Sequence, residues 1–152
     1  QKITLLPGGS IFDSALAFTM MRGGHIDLTV LGGFQVSARG DLANWDAMME
    51  GRGPLVGGAM DLAAGAKSVW VIMEHVTREG GARLVRDCTY PLTAKGVVSR
   101  VYTSMAVVDV TPEGFLVREM IEGMTEADMR RTSDAPLSFA PDCGVLRAPL
   151  PG

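Results

Sequence analysis

A pair of glycines, Gly57-Gly58, stands directly before a run of small apolar residues that predicts a short helix over 59–66. Glycine has no Cβ, so the backbone N–H groups of such a pair can approach a ligand closely. The N–H groups at the start of a helix also favour negative charge, such as an acyl oxyanion or a carboxylate. The pair is our first candidate for a substrate-binding site. The alternative is a glycine turn that binds no ligand.

Two side-chain amides, Gln35 and Asn44, are the next candidates for the binding site. An amide can donate a hydrogen bond to a carbonyl oxygen and accept one from an N–H group. We predict that both lie near the substrate cleft, although hydrogen bonds within the loops explain them equally well. Asp41 and Trp45 are expected to organise the loop around Asn44 rather than to contact substrate.

Glu74 and His75 follow an apolar segment, 68–73, that predicts a strand. Adjacent residues of a strand point to opposite faces, so the two should not form an acid–base pair. Glu74 alone can face the carboxyl edge of the sheet, where open α/β sheets bind ligands, and it is a further candidate. Glu50 is interpreted as a solvated loop carboxylate and His25 as a structural histidine.

Composition excludes several classes of protein. The 152 residues suit one domain, and a chain that is 47% hydrophobic and 20% charged is not expected to be disordered. A net charge of -3 without a Lys/Arg-rich run argues against nucleic acid as a partner. No apolar run approaches the roughly 20 residues of a membrane helix. Cys88 and Cys143 are far apart, which predicts free thiols in a reducing, cytoplasmic compartment and no metal site.

The first elements are read from local patterns. Residues 2–6 predict a strand, and Ser10 with Asp13 forms a capping-box pattern for a helix that Gly23-Gly24 ends. The segment 26–31 predicts the next strand. A strand at the first residues indicates that further sequence precedes Gln1, and the alternative is an edge strand at a mature N-terminus.

The later elements define the fold class. The run 68–73 is apolar throughout, which is typical of a parallel strand covered on both faces. The other predicted elements are a helix over 82–88, strands over 97–102, 106–110 and 115–119, and a last helix capped by Thr125 with Asp128. Strands 106–110 and 115–119 flank a Pro-Glu-Gly turn and predict a hairpin. Together these indicate an α/β fold with a mixed sheet. We assign residues 1–135 to this domain and 136–152 to an irregular, proline-rich tail.

Several segments, in order and at family spacing, carry a resemblance to a known family. They are Phe18-Thr19-Met20-Met21-Arg22-Gly23-Gly24-His25, Gln35-Val36-Ser37, Gly40-Asp41-Leu42-Ala43-Asn44-Trp45, Gly57-Gly58-Ala59-Met60-Asp61-Leu62, Met73-Glu74-His75, Cys88-Thr89-Tyr90-Pro91-Leu92-Thr93 and Asp109-Val110-Thr111-Pro112-Glu113-Gly114. From about Lys2 to about Thr132 the chain resembles the beta subunit of succinyl-CoA:3-oxoacid and 3-oxoadipate CoA-transferases.

The resemblance implies an open α/β sheet with flanking helices, a fold shared with some sugar-phosphate isomerases. It also implies an enzyme that moves CoA between a dicarboxylic acid and a 3-oxoacid by a ping-pong reaction. In that family a glutamate attacks the acyl-CoA, forms an acyl-glutamyl anhydride and then a glutamyl-CoA thioester. CoA is a substrate, and no metal or organic cofactor is needed. The partner is an alpha subunit or a fused half, so an oligomer is expected.

The family's nucleophile belongs to a Glu-Asn-Gly motif that this chain does not contain. Its seven glutamates are Glu50, Glu74, Glu79, Glu113, Glu119, Glu122 and Glu126, and none precedes Asn-Gly. The resemblance therefore implies a nucleophile upstream of Gln1, and the 152 residues alone are expected to be inactive. It also implies that Gly57-Gly58 borders the glutamate and the thioester.

One loop departs from the family pattern. The segment 46–56 is slightly longer and more acidic than usual and has Leu55 where glycine is common. Such a change beside an acyl site can alter which acid is accepted, and it motivates an alternative function. In that alternative the chain is a non-catalytic module that binds acyl-CoA or another metabolite. A sugar-phosphate isomerase on the same fold is a third hypothesis, based on fold analogy alone.

Overall fold

The computed structural model describes residues 4–48, 51, 53–55 and 57–147. The helices are α1 (Ser14–Arg22), α2 (Ala59–Gly65) and α3 (Glu126–Thr132). The strands are β1 (Leu28–Gly32), β2 (Gln35–Ser37), β3 (Leu42–Ala43), β4 (Ser68–Met73), β5 (Leu84–Val85), β6 (Val98–Thr103), β7 (Ala106–Thr111), β8 (Gly114–Ile121) and β9 (Leu137–Leu146). In the described ranges, no helix has the length and apolar character needed to cross a bilayer.

A mixed six-stranded sheet forms the centre of the molecule, in the order β1-β4-β6-β7-β8-β9. Strands β1, β4 and β6 are parallel, β6, β7 and β8 pair antiparallel, and β9 is parallel to β8. A smaller sheet, β3-β2-β5, lies in the loops that follow β1 and β4. The predicted α/β fold with a mixed sheet is confirmed, as is the predicted hairpin.

The core covers one face of β4. Val69, Val71 and Met73 are buried, whereas Ile72 on the opposite face is 58% exposed. The uninterrupted apolar run had predicted burial on both faces. That prediction is wrong for the described residues, because the described part of the chain packs against only one of the two faces of β4.

Helix α1 begins later than its sequence indicated. Asp13, with extended backbone dihedral angles, is the N-cap, and its carboxylate accepts a 2.8 Å hydrogen bond from the Leu16 N–H. Ser10 is therefore not the cap, since an aspartate closer to the first helical turn satisfies the free N–H. Gly23 ends the helix, and Gly24 has a φ of +72°, as the glycine pair predicted.

Two other local predictions fail, and for one of them a distant strand decides the conformation. Residues 82–88 were predicted as a helix, but β5 pairs parallel with β2 and both of its residues are buried. Of the predicted strand 2–6, residues 2 and 3 lie outside the described residues, and Thr4, Leu5 and Leu6 are not in a strand.

The predicted irregular tail is also wrong in its first part. Leu137 pairs with Phe115 in a parallel β9, so the sheet extends past the boundary that we assigned at residue 135. Pro141 is tolerated because β9 is an edge strand, where one side of the backbone needs no partner, and the register shifts between Val117 and Glu119. Residues 148–152 of the tail lie outside the described residues.

Helix α3 has the predicted capping box. The Thr125 hydroxyl accepts from the Asp128 N–H at 3.2 Å, and the Asp128 carboxylate accepts from the Thr125 N–H at 3.1 Å. The Thr125 hydroxyl also donates to the Asp128 carboxylate at 2.6 Å, and this bond, followed by those from the Thr125 N–H and Arg131, lowers the pKa of Asp128. The helix is held against the sheet by Met129, which is fully buried.

The contact between α1 and α2 depends on Gly65. A Cβ at this position would lie 2.7 Å from the carbonyl carbon of Met21, which is backbone and cannot rotate away. We expect Gly65→Ala to separate the helices and to reduce the free energy of unfolding by about 1–3 kcal/mol. Thermal unfolding of the complete protein measures this, with Ala64→Ser at the exposed neighbouring position as the control. Equal melting temperatures for the two variants would show that the helices do not approach this closely.

Candidate functional site

The carboxyl ends of three parallel strands define the candidate site. Strands β1, β4 and β6 end at Gly32, Met73 and Thr103, and parallel pairing places these ends at one edge of the sheet. Open α/β sheets bind ligands in the crevice outside the carboxyl ends of their strands. The loops that leave this edge carry most of the residues selected from the sequence.

Two cavities that share Phe34 and Ala47 lie among these loops. The Trp45 cavity, of about 440 Å³, is lined by Phe34, Trp45, Asp46, Ala47, Gly51, Gly53 and Leu55. The Arg83 cavity, of about 530 Å³, is lined by Phe34, Ala47, Thr77, Arg78, Glu79, Arg83 and Tyr90. The loop that departs from the family pattern thus forms much of the wall of the Trp45 cavity. In the described part of the chain, neither cavity is lined by any of the five residues predicted to bind substrate, which are Gly57, Gly58, Gln35, Asn44 and Glu74.

Gln35 is nearly buried and uses its amide within the chain. Its oxygen accepts hydrogen bonds from the N–H of Thr89 at 2.8 Å and of Tyr90 at 3.3 Å. Its nitrogen donates to the Thr89 hydroxyl at 3.0 Å. Gln35 therefore holds the loop that carries Tyr90 of the Arg83 cavity, and a direct contact with substrate stays a prediction.

Asn44 connects the end of β1 to a second loop. Its amide nitrogen donates to the Gly32 carbonyl at 3.0 Å, and its oxygen accepts from the Thr93 hydroxyl at 2.6 Å. The Asn44 N–H donates to the same hydroxyl at 3.1 Å. Asn44 directly follows Ala43, the last residue of β3, which pairs with Gln35 of β2, so the two amides belong to neighbouring parts of the small sheet.

Asp41 and Trp45 organise the loop as expected. One Asp41 oxygen accepts from the Ser37 hydroxyl at 2.9 Å and the other from the Gly96 N–H at 3.0 Å. The Trp45 indole N–H donates to the Leu92 carbonyl at 3.3 Å, which leaves its ring as a wall of the Trp45 cavity. Glu50 lies outside the described residues.

The glycine pair divides into two different environments. Gly57 is exposed, and nothing lies within 4 Å of a Cβ built on it. Gly58 is the N-cap of the short helix α2, and a Cβ there would lie 2.6 Å from the Phe18 ring. Close packing against α1 is therefore sufficient to explain Gly58, while ligand binding by the pair stays a prediction.

Glu74 and His75 face opposite sides, as the strand alternation predicted. Glu74 is exposed, and His75 is fully buried. The imidazole Nδ1 lies 2.9 Å from the Thr103 hydroxyl and Nε2 lies 3.2 Å from the Ser133 hydroxyl. Burial lowers the pKa of His75, so the neutral ring is the stable form in the folded protein. A substrate contact by Glu74 stays a prediction.

Other titratable groups add little nucleophilic chemistry to this edge. Burial, with a contribution from the Asp41 carboxylate, raises the pKa of the Cys88 thiol to about 11, which makes the thiolate scarce at neutral pH. Among the described residues, no cluster of three His, Cys, Asp or Glu side chains could hold a metal ion.

Sequence reasoning did not single out Arg83, which lines the larger cavity. Its backbone is fixed on both sides, because its N–H donates to the His75 carbonyl at 3.3 Å and its carbonyl accepts from the Val36 N–H at 3.0 Å. Its Nη1 donates to the Gly33 carbonyl at 3.4 Å. The sequence signal that could have identified Arg83 is a positively charged residue in the loop that follows the parallel strand β4.

Comparisons with known proteins agree with this architecture. The family model described as coenzyme A transferase matches residues 1–128. The chain is 53% identical over 137 residues to a 3-oxoadipate CoA-transferase subunit of Pseudomonas putida, covering 90% of this chain and 64% of the relative. It is 44% identical over 138 residues to a succinyl-CoA:3-ketoacid coenzyme A transferase subunit of Helicobacter pylori, covering 89% and 65%.

A solved structure shares the fold. The apoenzyme of the acyl-CoA transferase YdiF from Escherichia coli O157:H7 superposes with a TM-score of 0.76 over 94% of this chain and 33% of that one, at 17% identity. These features define a CoA-transferase type of α/β domain. The chain belongs to the coenzyme A transferase family. It spans 64% of the length of its Pseudomonas putida relative.

The two glycines allow packing to be separated from ligand binding. Gly58→Ala should lower the melting temperature of the complete protein modestly, because the added methyl group meets the end of the half-buried Phe18 ring, which must rotate away. Gly57→Ala, whose methyl group meets no atom, should leave the melting temperature unchanged. Equal stabilities would contradict the packing role of Gly58. A loss of CoA transfer in Gly57→Ala at unchanged stability would support ligand binding by the pair.

The buried histidine predicts a pH dependence of stability. Because the folded-state pKa of His75 is lowered, its contribution is complete above the unfolded-state pKa of about 6.5 and is lost as the pH falls below that value. We expect the melting temperature of the complete protein to fall between about pH 7 and pH 5. In His75→Gln, compared with His25→Gln at an exposed position, this part of the slope should disappear. An unchanged slope in His75→Gln would contradict a buried neutral ring.

Proposed function

We propose that this chain is part of a CoA-transferase that moves CoA between a dicarboxylic acid such as succinate and a 3-oxoacid. The observation that carries the proposal is the 53% identity with a subunit of a 3-oxoadipate CoA-transferase. The two cavities at the carboxyl edge of the sheet support it, because they offer an apolar wall at Trp45 beside a cationic wall at Arg83. An organic acid is complementary to both walls, because its carbon chain is apolar and its carboxylate is negatively charged.

The proposed reaction uses a glutamate from outside these 152 residues, since no Glu-Asn-Gly motif occurs within them. Its carboxylate attacks the thioester carbonyl of the acyl-CoA, and the CoA thiolate leaves to give a mixed anhydride. The thiolate then attacks the glutamyl carbonyl, which releases the first acid and forms the glutamyl-CoA thioester. The second acid reverses these steps and leaves as its CoA ester. This sequence needs no cofactor other than CoA itself, which acts as a substrate.

The proposed partner is a CoA-transferase alpha subunit or a fused half, because both relatives are named as one subunit of their enzymes. We further propose a cytoplasmic location, which the two free thiols, Cys88 and Cys143, support. The residues that we propose near the substrate are Gly57, Gly58, Gln35, Asn44 and Glu74. The hydrogen bonds of Gln35 and Asn44 fix the loops around the cavities, which is how we propose that these two residues contribute to the site.

The covalent intermediate is the direct test. The native preparation that contains this chain is incubated with succinyl-CoA, and the intact mass of every polypeptide is measured. We expect one polypeptide to gain the mass of CoA less one water, as condensation of a carboxyl group with a thiol requires. Hydroxylamine, which cleaves thioesters, should remove the adduct and serves as the control. Reversible CoA binding without any adduct would favour the non-catalytic module instead.

A further inference from the structure

The Arg83 cavity contains an arginine whose charge is poorly compensated by the chain. Among the described residues, Arg83 Nε is the buried side-chain nitrogen or oxygen that has no hydrogen-bond partner. Its Nη1 makes a long hydrogen bond, 3.4 Å, to a neutral carbonyl. In the same part of the chain, neither Arg83 nor the neighbouring Arg78 forms an ion pair with a carboxylate. Arg83 as a whole is half-buried, but a buried nitrogen without a partner is unfavourable unless something else supplies the hydrogen bond.

The arrangement of the guanidinium favours a planar anion. Nε and Nη2 form one edge of the group, and a carboxylate can bind this edge with two parallel hydrogen bonds once a small shift of the side chain uncovers Nε. Nη1 on the opposite side is already occupied by the Gly33 carbonyl, which together with the fixed backbone of Arg83 orients the group in advance. An anion that enters the cavity would therefore meet an arginine that loses little conformational freedom on binding.

The surroundings of Arg83 favour a carboxylate over a phosphate. Arg78 and Glu79 line the same cavity, so the three charged side chains there sum to one positive charge. A single positive charge matches a singly charged carboxylate, and Glu79 opposes a doubly charged phosphate. The adjoining Trp45 cavity, which shares Phe34, offers apolar walls to the carbon chain of the same acid.

We propose that Arg83 binds the non-reacting carboxylate of a dicarboxylic acid and so determines that such acids are preferred over monocarboxylic acids. The inference rests on the proposed function and assigns one residue of that site. Arg83 contacts the end of the acid away from the reacting carboxyl group. It therefore affects which acid is accepted and not the ability to form the glutamyl-CoA thioester.

The test uses the complete enzyme with acetoacetyl-CoA, a 3-oxoacyl-CoA without a free carboxylate, as the CoA donor. The two acceptors, succinate and succinamate, are of equal length, and in succinamate a neutral amide replaces one carboxylate. The wild-type enzyme should prefer succinate in kcat/KM by about 10- to 100-fold, the range expected for hydrogen bonds to a charged group. Arg83→Gln should reduce this preference to about threefold or less, chiefly through succinate, and Arg83→Lys should leave an intermediate preference because it keeps the charge but loses the planar edge. Arg86→Gln, at an exposed position three residues further on, is the matched control and should retain the wild-type preference.

Several outcomes would overturn the proposal. An equal fall for both acceptors would make Arg83 a general structural residue, and an unchanged preference would exclude it from the site. A rise confined to the KM for acetoacetyl-CoA, which carries no free carboxylate, would identify a phosphate of CoA as the anion instead. If Arg83→Gln does not fold, the test relies on Arg83→Lys and on the wild-type enzyme. A wild-type enzyme with the same kcat/KM for succinate and succinamate would have no such carboxylate site. The mass of the CoA adduct is measured in parallel. Its absence in the wild-type enzyme would refute the proposed function, whereas an adduct together with an unchanged preference would refute the assignment of Arg83 alone.

Discussion

The buried imidazole of His75 is the interaction on which the carboxyl edge of the sheet depends. It lies directly after β4 and joins this strand to Thr103 at the end of β6 and to Ser133 after α3. A fully buried ring must have a partner at each nitrogen, so the two hydroxyls and the ring fix one another. The adjacent His75 carbonyl accepts from the Arg83 N–H, which extends the same support into the loop that bears the cationic wall.

The loops that leave this edge are held in place by hydrogen bonds from two side-chain amides. Gln35 holds the turn at Thr89, and Asn44 holds the end of β1 against Thr93. Both carry polar amides close to the cavities, a property that also suits substrate contacts. Their hydrogen bonds are used inside the protein because a loop that packs over the core must satisfy its own polar groups. Arg83 differs from them, since the chain leaves part of its hydrogen-bonding capacity unused.

Local sequence was sufficient wherever neighbours within a few positions decide the structure. The capping box of Thr125 and Asp128, the hairpin turn before Gly114 and the helix stop at Gly23 depend on residues three or four apart. Sequence failed at β5 and β9, whose partners are far away in the chain: Leu84 lies beside Val36, and Leu137 beside Phe115. A short apolar segment fits a helix or a strand equally well until such a partner is known. The cap at Ser10 failed for a different reason, since Asp13 competes for the same role and lies closer to the first turn.

The sequence by itself determined the family, the α/β class of the fold and the candidate residues along the loops, because these follow from residue types in a fixed order. Only the tertiary structure decided which of those residues face a cavity and which support its walls. Hydrogen-bond partners that are about 50 positions apart, such as Gln35 with Thr89, cannot be assigned from spacing. Arg83 was missed for the same reason. Its importance arises from burial and an incomplete set of partners, and both are properties of three-dimensional packing.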